Sequence, residues 1–168
     1  LEEEFEENHG RKIKFPLDEE GAEMVFFPAV RDYLLEPDTL MGVSAVLNAA
    51  GISWTIGTQY YDGINYGLFY SDRVWDRISK MLVDEVYRLK GRTILIGECG
   101  HASRSAKVGV PNFHGTDSPP VINILELTHK LFKQGKIKLK PNVTRSLCTE
   151  DTTDNTAACR ATLKVFQP

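Results

Sequence analysis

Cys99 is the residue whose type and position in this sequence best suit chemistry. It follows an apolar run at 93–96, and Gly97 and Gly100 beside it let the backbone approach a ligand closely. Backbone amides at the start of a following helix would stabilise a thiolate, and His101 would add positive charge. Cys99 and His101 are therefore the catalytic candidates. The alternative is a small buried cysteine at a strand end.

Metal and phosphate chemistry have less support in the residue spacing. Cys99 belongs to no Cys-x-x-Cys pair, Cys148 and Cys159 lie far along the chain, and the four histidines lack zinc-ligand spacing. The sequence contains no phosphate-binding or dinucleotide-binding glycine loop. We expect no metal site. Arg104 lies near His101, so a thiol-redox or anion-binding module using Cys99 and His101 is one functional alternative.

Strands and helices alternate along the sequence and must position these residues. Short apolar runs, typical of buried parallel strands, occur at 24–27, 52–56, 93–96 and 121–122. Patterns typical of helices, with capping residues at their ends, lie at about 37–51, 71–91 and 124–135. This alternation predicts an α/β fold, a doubly wound three-layer domain with a parallel sheet of about four strands.

The functional crevice of such a sheet lies beyond the carboxyl ends of its strands. Three predicted loops meet there, Pro28–Tyr33, Thr58–Tyr66 and Glu98–Lys107. Residues 57–70 are rich in Gly, Asn, Asp and Tyr, which indicates a loop. The aromatic side chains of this segment either stack a ligand or pack the loop against the sheet.

Composition and charge restrict the class of protein. The net charge of -3 and the isoelectric point near 5.8 argue against a nucleic-acid partner. The lysine-rich stretch at 130–145 is either a solvated face or a docking surface for an acidic partner. The sequence has neither a membrane-spanning apolar run nor a signal peptide, and three cysteines make no disulfide framework. We therefore expect a cytoplasmic protein.

Three motifs resemble one family. They are Gly-Glu-Cys-Gly-His-Ala at 97–102, Tyr-Asp-Gly-Ile-Asn-Tyr-Gly-Leu-Phe at 61–69 and Gly-Lys-Ile-Lys-Leu at 135–139. Together they resemble the DsrK family of heterodisulfide reductase-like iron–sulfur oxidoreductase subunits, which carry cysteine-rich CCG domains. A complete CCG domain holds a noncubane [4Fe-4S] cluster on one Cys, a Cys-Cys pair and a Cys-x-x-Cys, because thiolates bind iron strongly.

The resemblance assigns the ligand positions of such a domain to this chain. The spacing of the family, counted back from Cys99, falls on Tyr61 and Asp62 and then on Ala29, and counted forward it falls on Ala102. Of these five positions only Cys99 holds a cysteine. The resemblance therefore implies a degenerate first CCG repeat that binds no cofactor itself, in a longer parent protein whose other repeat carries the [4Fe-4S] cluster.

The resemblance also implies a domain organisation. Residues 1–20 are expected to form a flexible acidic lead-in, 21–142 the degenerate CCG α/β domain, and 143–168 a polar tail or the start of a truncated second repeat. The parent would be an electron-transfer oxidoreductase of dissimilatory sulfur metabolism, and this chain alone would not be catalytic.

The implied partners are the second CCG repeat, a small sulfur-carrier protein and the subunits of a membrane complex. Through those subunits the chain would lie at the inner face of the cytoplasmic membrane. The side chains expected to border the docking interface are Tyr61, Asn65, Cys99, His101 and Arg104.

Overall fold

The computed structural model describes residues 1–138, except for the side chains of Asn65, Tyr66 and Leu68. The described strands are β1 (Met24–Phe27), β2 (Trp54–Ile56), β3 (Thr93–Ile96) and β4 (Val121–Asn123). The described helices are α1 (Glu2–His9), α2 (Val30–Leu34), α3 (Pro37–Ala49), α4 (Ile64–Tyr70), α5 (Asp72–Arg88), α6 (Gly100–His114) and α7 (Ile124–Lys133).

The four strands form one parallel sheet in the order β2-β1-β3-β4. Met24 pairs with Trp54 on one side and with Thr93 on the other. All residues of β1 and β2 are buried, as expected for parallel strands that read as continuous apolar runs. The chain runs from β1 to β2 on one side of it, crosses to β3 on the other side of β1, and continues to β4. The predicted doubly wound α/β fold with a parallel sheet of about four strands is confirmed.

The chain forms two compact units, which we call the sheet unit and the helical unit. The sheet unit comprises Pro16–Val30 and Ser53–Ile124, and the helical unit comprises Leu1–Phe15, Arg31–Ile52 and the described residues from 125 to 138. Each has its own apolar cluster. In the sheet unit, side chains of β1, β3, α4, α5 and α6 form most of the cluster. In the helical unit, Phe5, Ile13 and Met41 form it.

The helices with clear end signals lie where the sequence predicts them. α3 begins at Pro37, whose missing N–H costs nothing in the first turn of a helix. The hydroxyl of Ser71 accepts a hydrogen bond from the amide of Val74 at 3.3 Å and so caps α5. After α7 the chain turns at Gly135 with φ 70°, a conformation that favours glycine.

Three helices replace predicted loops, and those predictions are wrong. α2 (Val30–Leu34) occupies most of the segment 28–33. α4 lies within the segment 57–70, and α6 occupies most of the segment 98–107 and continues through Pro111. The buried face of α6 consists of small residues, among them Ala102, Ser105 and Ala106, so it lacks the stripe of large apolar residues that identifies a helix. Pro111 lies in the last turn, where it removes a backbone donor without ending the helix.

The segment 1–20, expected to be a flexible lead-in, contains helix α1. Glu2, Glu3 and Glu4 occupy the first turn of α1, where carboxylates interact favourably with the helix dipole. Leu17 forms a parallel bridge with Ile56, the last residue of β2. None of the helices in residues 1–138 is long and apolar enough to cross a membrane. The predicted tail at 143–168 lies outside the described residues.

Candidate functional site

The carboxyl ends of β1 and β2 meet in the sheet unit, as the predicted topology requires. Ala29 forms an isolated parallel bridge with Asp62, and the Asp62 amide donates to the Pro28 carbonyl at 3.0 Å. The segment after β2 therefore returns to the exit of β1. This backbone pairing puts side by side two positions that the resemblance assigns to cluster ligands. We call this part of the sheet unit the carboxyl edge.

Asp62 is a buried carboxyl group, with 5% of its surface exposed. Its Oδ1 accepts a hydrogen bond from the Ile64 amide at 3.3 Å, at the start of α4. Burial raises the pKa of Asp62 to about 6, the Ile64 amide opposes this rise, and the negative charge of Glu98 adds to it. Within residues 1–138 no lysine or arginine forms an ion pair with Asp62. Asp62 can therefore hold or release a proton near neutral pH.

The exit of β3 brings Glu98 and Cys99 to the same edge. The Asn123 side-chain amide donates to the Gly97 carbonyl at 2.6 Å and holds this exit against the end of β4. Cys99 is half-buried, packs against the apolar cluster of the sheet unit and occupies the N-cap position of α6. The Ser103 amide donates to the Cys99 carbonyl at 2.9 Å. The thiol thus lies at the start of a helix, within a segment that the sequence predicted as a loop.

His101 and Arg104 are exposed on α6, one turn apart. The His101 ring contacts the Phe69 ring of α4 edge to face, with centroids 5.4 Å apart. Tyr61 is 55% exposed. The side chain of Asn65, the remaining interface candidate, lies outside the described residues.

Ala102 lies on α6, one turn after Cys99. It is fully buried on α6 and belongs to the apolar cluster of the sheet unit. The structure therefore brings together Ala29, Asp62 and the Glu98–Cys99 segment.

The residues at the five assigned positions do not fit a four-iron cluster. Cys99 supplies one thiolate, whereas Ala29 and Ala102 end in methyl groups that cannot bind iron. In the described part of the chain, no three His, Cys, Asp or Glu side chains are grouped so that they could hold a metal ion. We therefore derive no chemistry at this edge through a bound cluster.

A second buried carboxylate was missed by the sequence reasoning. Glu85 of α5 has no exposed surface, and Arg88 donates to both its oxygens, at 2.7 and 2.8 Å. The backbone amide of Gln59 donates a hydrogen bond to Glu85 Oε1 at 3.3 Å. Gly57 lies so close that any Cβ there would overlap the carboxylate. The sequence did offer a signal for this buried carboxylate. Glu85 is a charged residue at a position where the helical pattern of α5 expects an apolar one.

Arg88 also pairs with Asp18, which extends this network to the segment before β1. The Thr58 hydroxyl donates to Asp18, and the Thr58 amide does so at 3.1 Å. These hydrogen bonds, with the charge of Arg88, lower the pKa of Asp18. The hydrogen bond to Glu85, followed by the one to Asp18, raises the pKa of Arg88. This network joins three segments of the sheet unit.

Comparisons of this chain with protein-family models, curated proteins and solved structures found no match.

Proposed function

We propose that this chain is a degenerate CCG repeat of a heterodisulfide reductase-like electron-transfer subunit of dissimilatory sulfur metabolism. The [4Fe-4S] cluster and its disulfide chemistry belong to another repeat of the parent protein. This chain supports that repeat and borders the site where a small sulfur-carrier protein docks. It works in the cytoplasm, at the inner face of the membrane, through the subunits of its complex.

One observation carries this proposal. Ala29 and Asp62 are paired through the backbone, and Asp62 lies within the electrostatic influence of Glu98, the residue before Cys99. The motif spacing assigned these positions to one ligand set, and the strand pairing brings them to one edge independently of that assignment. The pairing supports descent from a cluster site in which other side chains have replaced the thiolates. Ala102, buried in the apolar cluster, gives the assignment no support.

Restoring the thiolates tests the proposal. The triple variant Ala29→Cys, Tyr61→Cys and Asp62→Cys, together with Cys99, supplies four cysteines, the number that holds a [4Fe-4S] cluster. Cys148 and Cys159 are replaced by serine in every protein compared. After anaerobic reconstitution with iron and sulfide, we expect the triple variant to bind about one cluster per chain. The unrestored chain is expected to bind none.

A matched control carries the same number of added cysteines at exposed positions of the sheet unit, Glu23→Cys, Lys80→Cys and Tyr87→Cys. Equal iron content and visible absorbance in the control and the triple variant would contradict a lost ligand set. A stoichiometric cluster in the unrestored chain that disappears in Cys99→Ser would contradict the cluster-free assignment.

The position of Cys99 favours one second candidate, a thiol-redox or anion-binding module using Cys99 and His101. The half-buried thiol precedes a 15-residue helix whose first turn contains no acidic residue, and amides at a helix start stabilise a thiolate. The rate of Cys99 alkylation measured against pH separates the two functions. A rate that levels off well below pH 8.5 supports an activated thiol, whereas a rate that still rises through about pH 8.5 excludes it.

A further inference from the structure

Two aromatic side chains at the end of α4 are exposed to solvent. Phe69 is 70% exposed and Tyr70 is 82% exposed. Large aromatic side chains bury far more area than other residues when they are covered, and they are enriched at the centres of protein interfaces. Neither side chain belongs to the apolar cluster of the sheet unit. Folding of this unit therefore does not account for them.

These aromatic residues lie beside basic side chains of α6. The Phe69 ring contacts the His101 ring, and Arg104 is exposed one turn further along α6. Phe69, Tyr70, His101 and Arg104 make up what we call the α4–α6 surface. Tyrosine and arginine are the residues, with tryptophan, that most often dominate binding energy at interfaces.

None of the four side chains of this surface is acidic. Helices α4 and α6 contain no Asp or Glu, although the whole chain has a net charge of -3. Arg104 gives this surface a positive charge. The adjoining first turns of α5 add no net charge, because the acids Asp72 and Asp76 alternate with two arginines. A surface of this kind attracts carboxylates and repels basic partners.

The two helices that form this surface are held firmly together. Trp75 of α5 packs against Gly67 of α4, where an added Cβ would lie 2.5 Å from the Trp75 backbone, and against Gly109 of α6. The Trp75 indole N–H donates to the Ser105 carbonyl at 3.2 Å. A surface already fixed in position loses little conformational entropy when a partner binds it.

We propose that the α4–α6 surface binds a protein partner through an acidic segment that also presents an apolar side chain. The apolar group covers Phe69 and Tyr70, and a carboxylate faces Arg104. This inference deepens the proposed function and rests on it, since it gives the chemistry of the carrier segment that docks beside Cys99 and His101. It also adds an aromatic centre to the interface candidates His101 and Arg104.

Fluorescence anisotropy with a synthetic peptide tests this assignment. The probe carries glutamates on both sides of a Leu-Phe pair and a fluorescein label, and a second peptide has glutamine in place of every glutamate. We expect the acidic peptide to bind at low salt about tenfold more tightly than the glutamine peptide. The double variant Phe69→Ser, Tyr70→Ser weakens binding by about tenfold or more, and Arg104→Glu by a smaller factor.

Matched controls come from the same unit. Tyr87→Ser removes another exposed aromatic residue, 58% exposed on α5, and Arg92→Glu reverses another exposed charge. Neither control should change the affinity. Absence of peptide binding, equal affinity for the two peptides, or equal losses in the controls would overturn the assignment. Unchanged thermal unfolding of the variants shows that the losses are local.

Binding of either of two other partners to the α4–α6 surface would overturn its assignment to an acidic protein segment. Sedimentation of the chain with phosphatidylserine vesicles, lost in the Phe69, Tyr70 double variant while the peptide does not bind, would assign the surface to a membrane. A dimer in analytical ultracentrifugation that Arg104→Glu dissociates would assign it to a second copy of the chain. Cluster restoration without peptide binding would contradict this inference alone. Peptide binding without cluster restoration would contradict the proposed function alone.

Discussion

The sheet unit buries two carboxyl groups in different surroundings. Glu85 has no exposed surface and is held by Arg88 and a backbone amide. Asp62 is nearly as buried, but its hydrogen-bond donor is the Ile64 amide, and its charged neighbour is the like-charged Glu98. A paired buried carboxylate serves the fold, whereas a buried carboxyl group without a cation weakens it. The second arrangement is typical of functional sites.

The two regions have opposite effects on the pH dependence of stability. Burial raises the pKa of Asp62 to about 6, so the folded protein binds this proton more tightly than the unfolded chain. The free energy of unfolding therefore falls as pH rises from about 4 to about 6. Asp18, in the network of Glu85, has a lowered pKa. Its contribution is present above the unfolded pKa and is lost as pH falls.

Arg88→Met breaks the network of Glu85, Arg88 and Asp18 and has the largest expected effect on stability. It keeps the apolar stem of the side chain and leaves the Glu85 carboxylate buried without its cation. We expect the free energy of unfolding to fall by about 3–5 kcal/mol. Urea denaturation at neutral pH measures it, with the exposed Arg77→Met as the control. A loss no larger than that of the control would show that the pairing does not stabilise the fold.

Asp62→Asn tests the carboxyl edge, where the charged neighbour of the buried carboxyl group is Glu98. Asparagine keeps an oxygen acceptor for the Ile64 amide and removes the buried charge. We expect the free energy of unfolding to rise by about 2–3 kcal/mol at pH 7, and the gain to vanish near pH 4. Denaturation from pH 4 to pH 7 measures this slope, with the exposed Asp84→Asn as the control. A gain independent of pH would contradict a raised pKa at Asp62.

Gly57→Ala sharpens the comparison by altering the space around Glu85 without removing a charge. The new methyl group overlaps the Glu85 carboxylate, so the side chain and its arginine must move. We expect a loss of about 1–3 kcal/mol in the free energy of unfolding. Gly100→Ala is the control, because no atom lies within 4 Å of an added Cβ there. Equal stability of the two variants would mean that Gly57 does not confine Glu85.

Thr58→Val has the smallest expected effect. It removes the hydroxyl that donates to Asp18, so the pKa of Asp18 rises towards its ordinary value. Because Asp18 is partly exposed, we expect the free energy of unfolding to fall by less than about 1 kcal/mol at pH 7. The loss should shrink as pH falls below about 3.8, because the contribution of a carboxylate with a lowered pKa is lost as it becomes protonated. A loss that persists there comes from packing.

Secondary structure was predictable where end signals and apolar stripes coincide. The strands follow from unbroken apolar runs, and α5 follows from its Ser71 cap and regular apolar spacing. Helices α4 and α6 were missed because their buried sides contain small residues such as Gly67 and Gly109, which pack against Trp75. A helix that packs against its neighbour through small residues lacks the stripe of large apolar residues by which a sequence identifies a helix.

The sequence by itself determined the α/β class, the parallel strands and the edge where Asp62 and Cys99 lie, because these depend on local patterns and chain order. The tertiary structure decided which buried carboxyl group has a cation. Arg88 meets Asp18 across 70 positions of sequence, whereas the charged neighbour of Asp62 within residues 1–138 is Glu98. Electrostatic energies depend on distance and burial in space, and neither quantity is written in the order of residues.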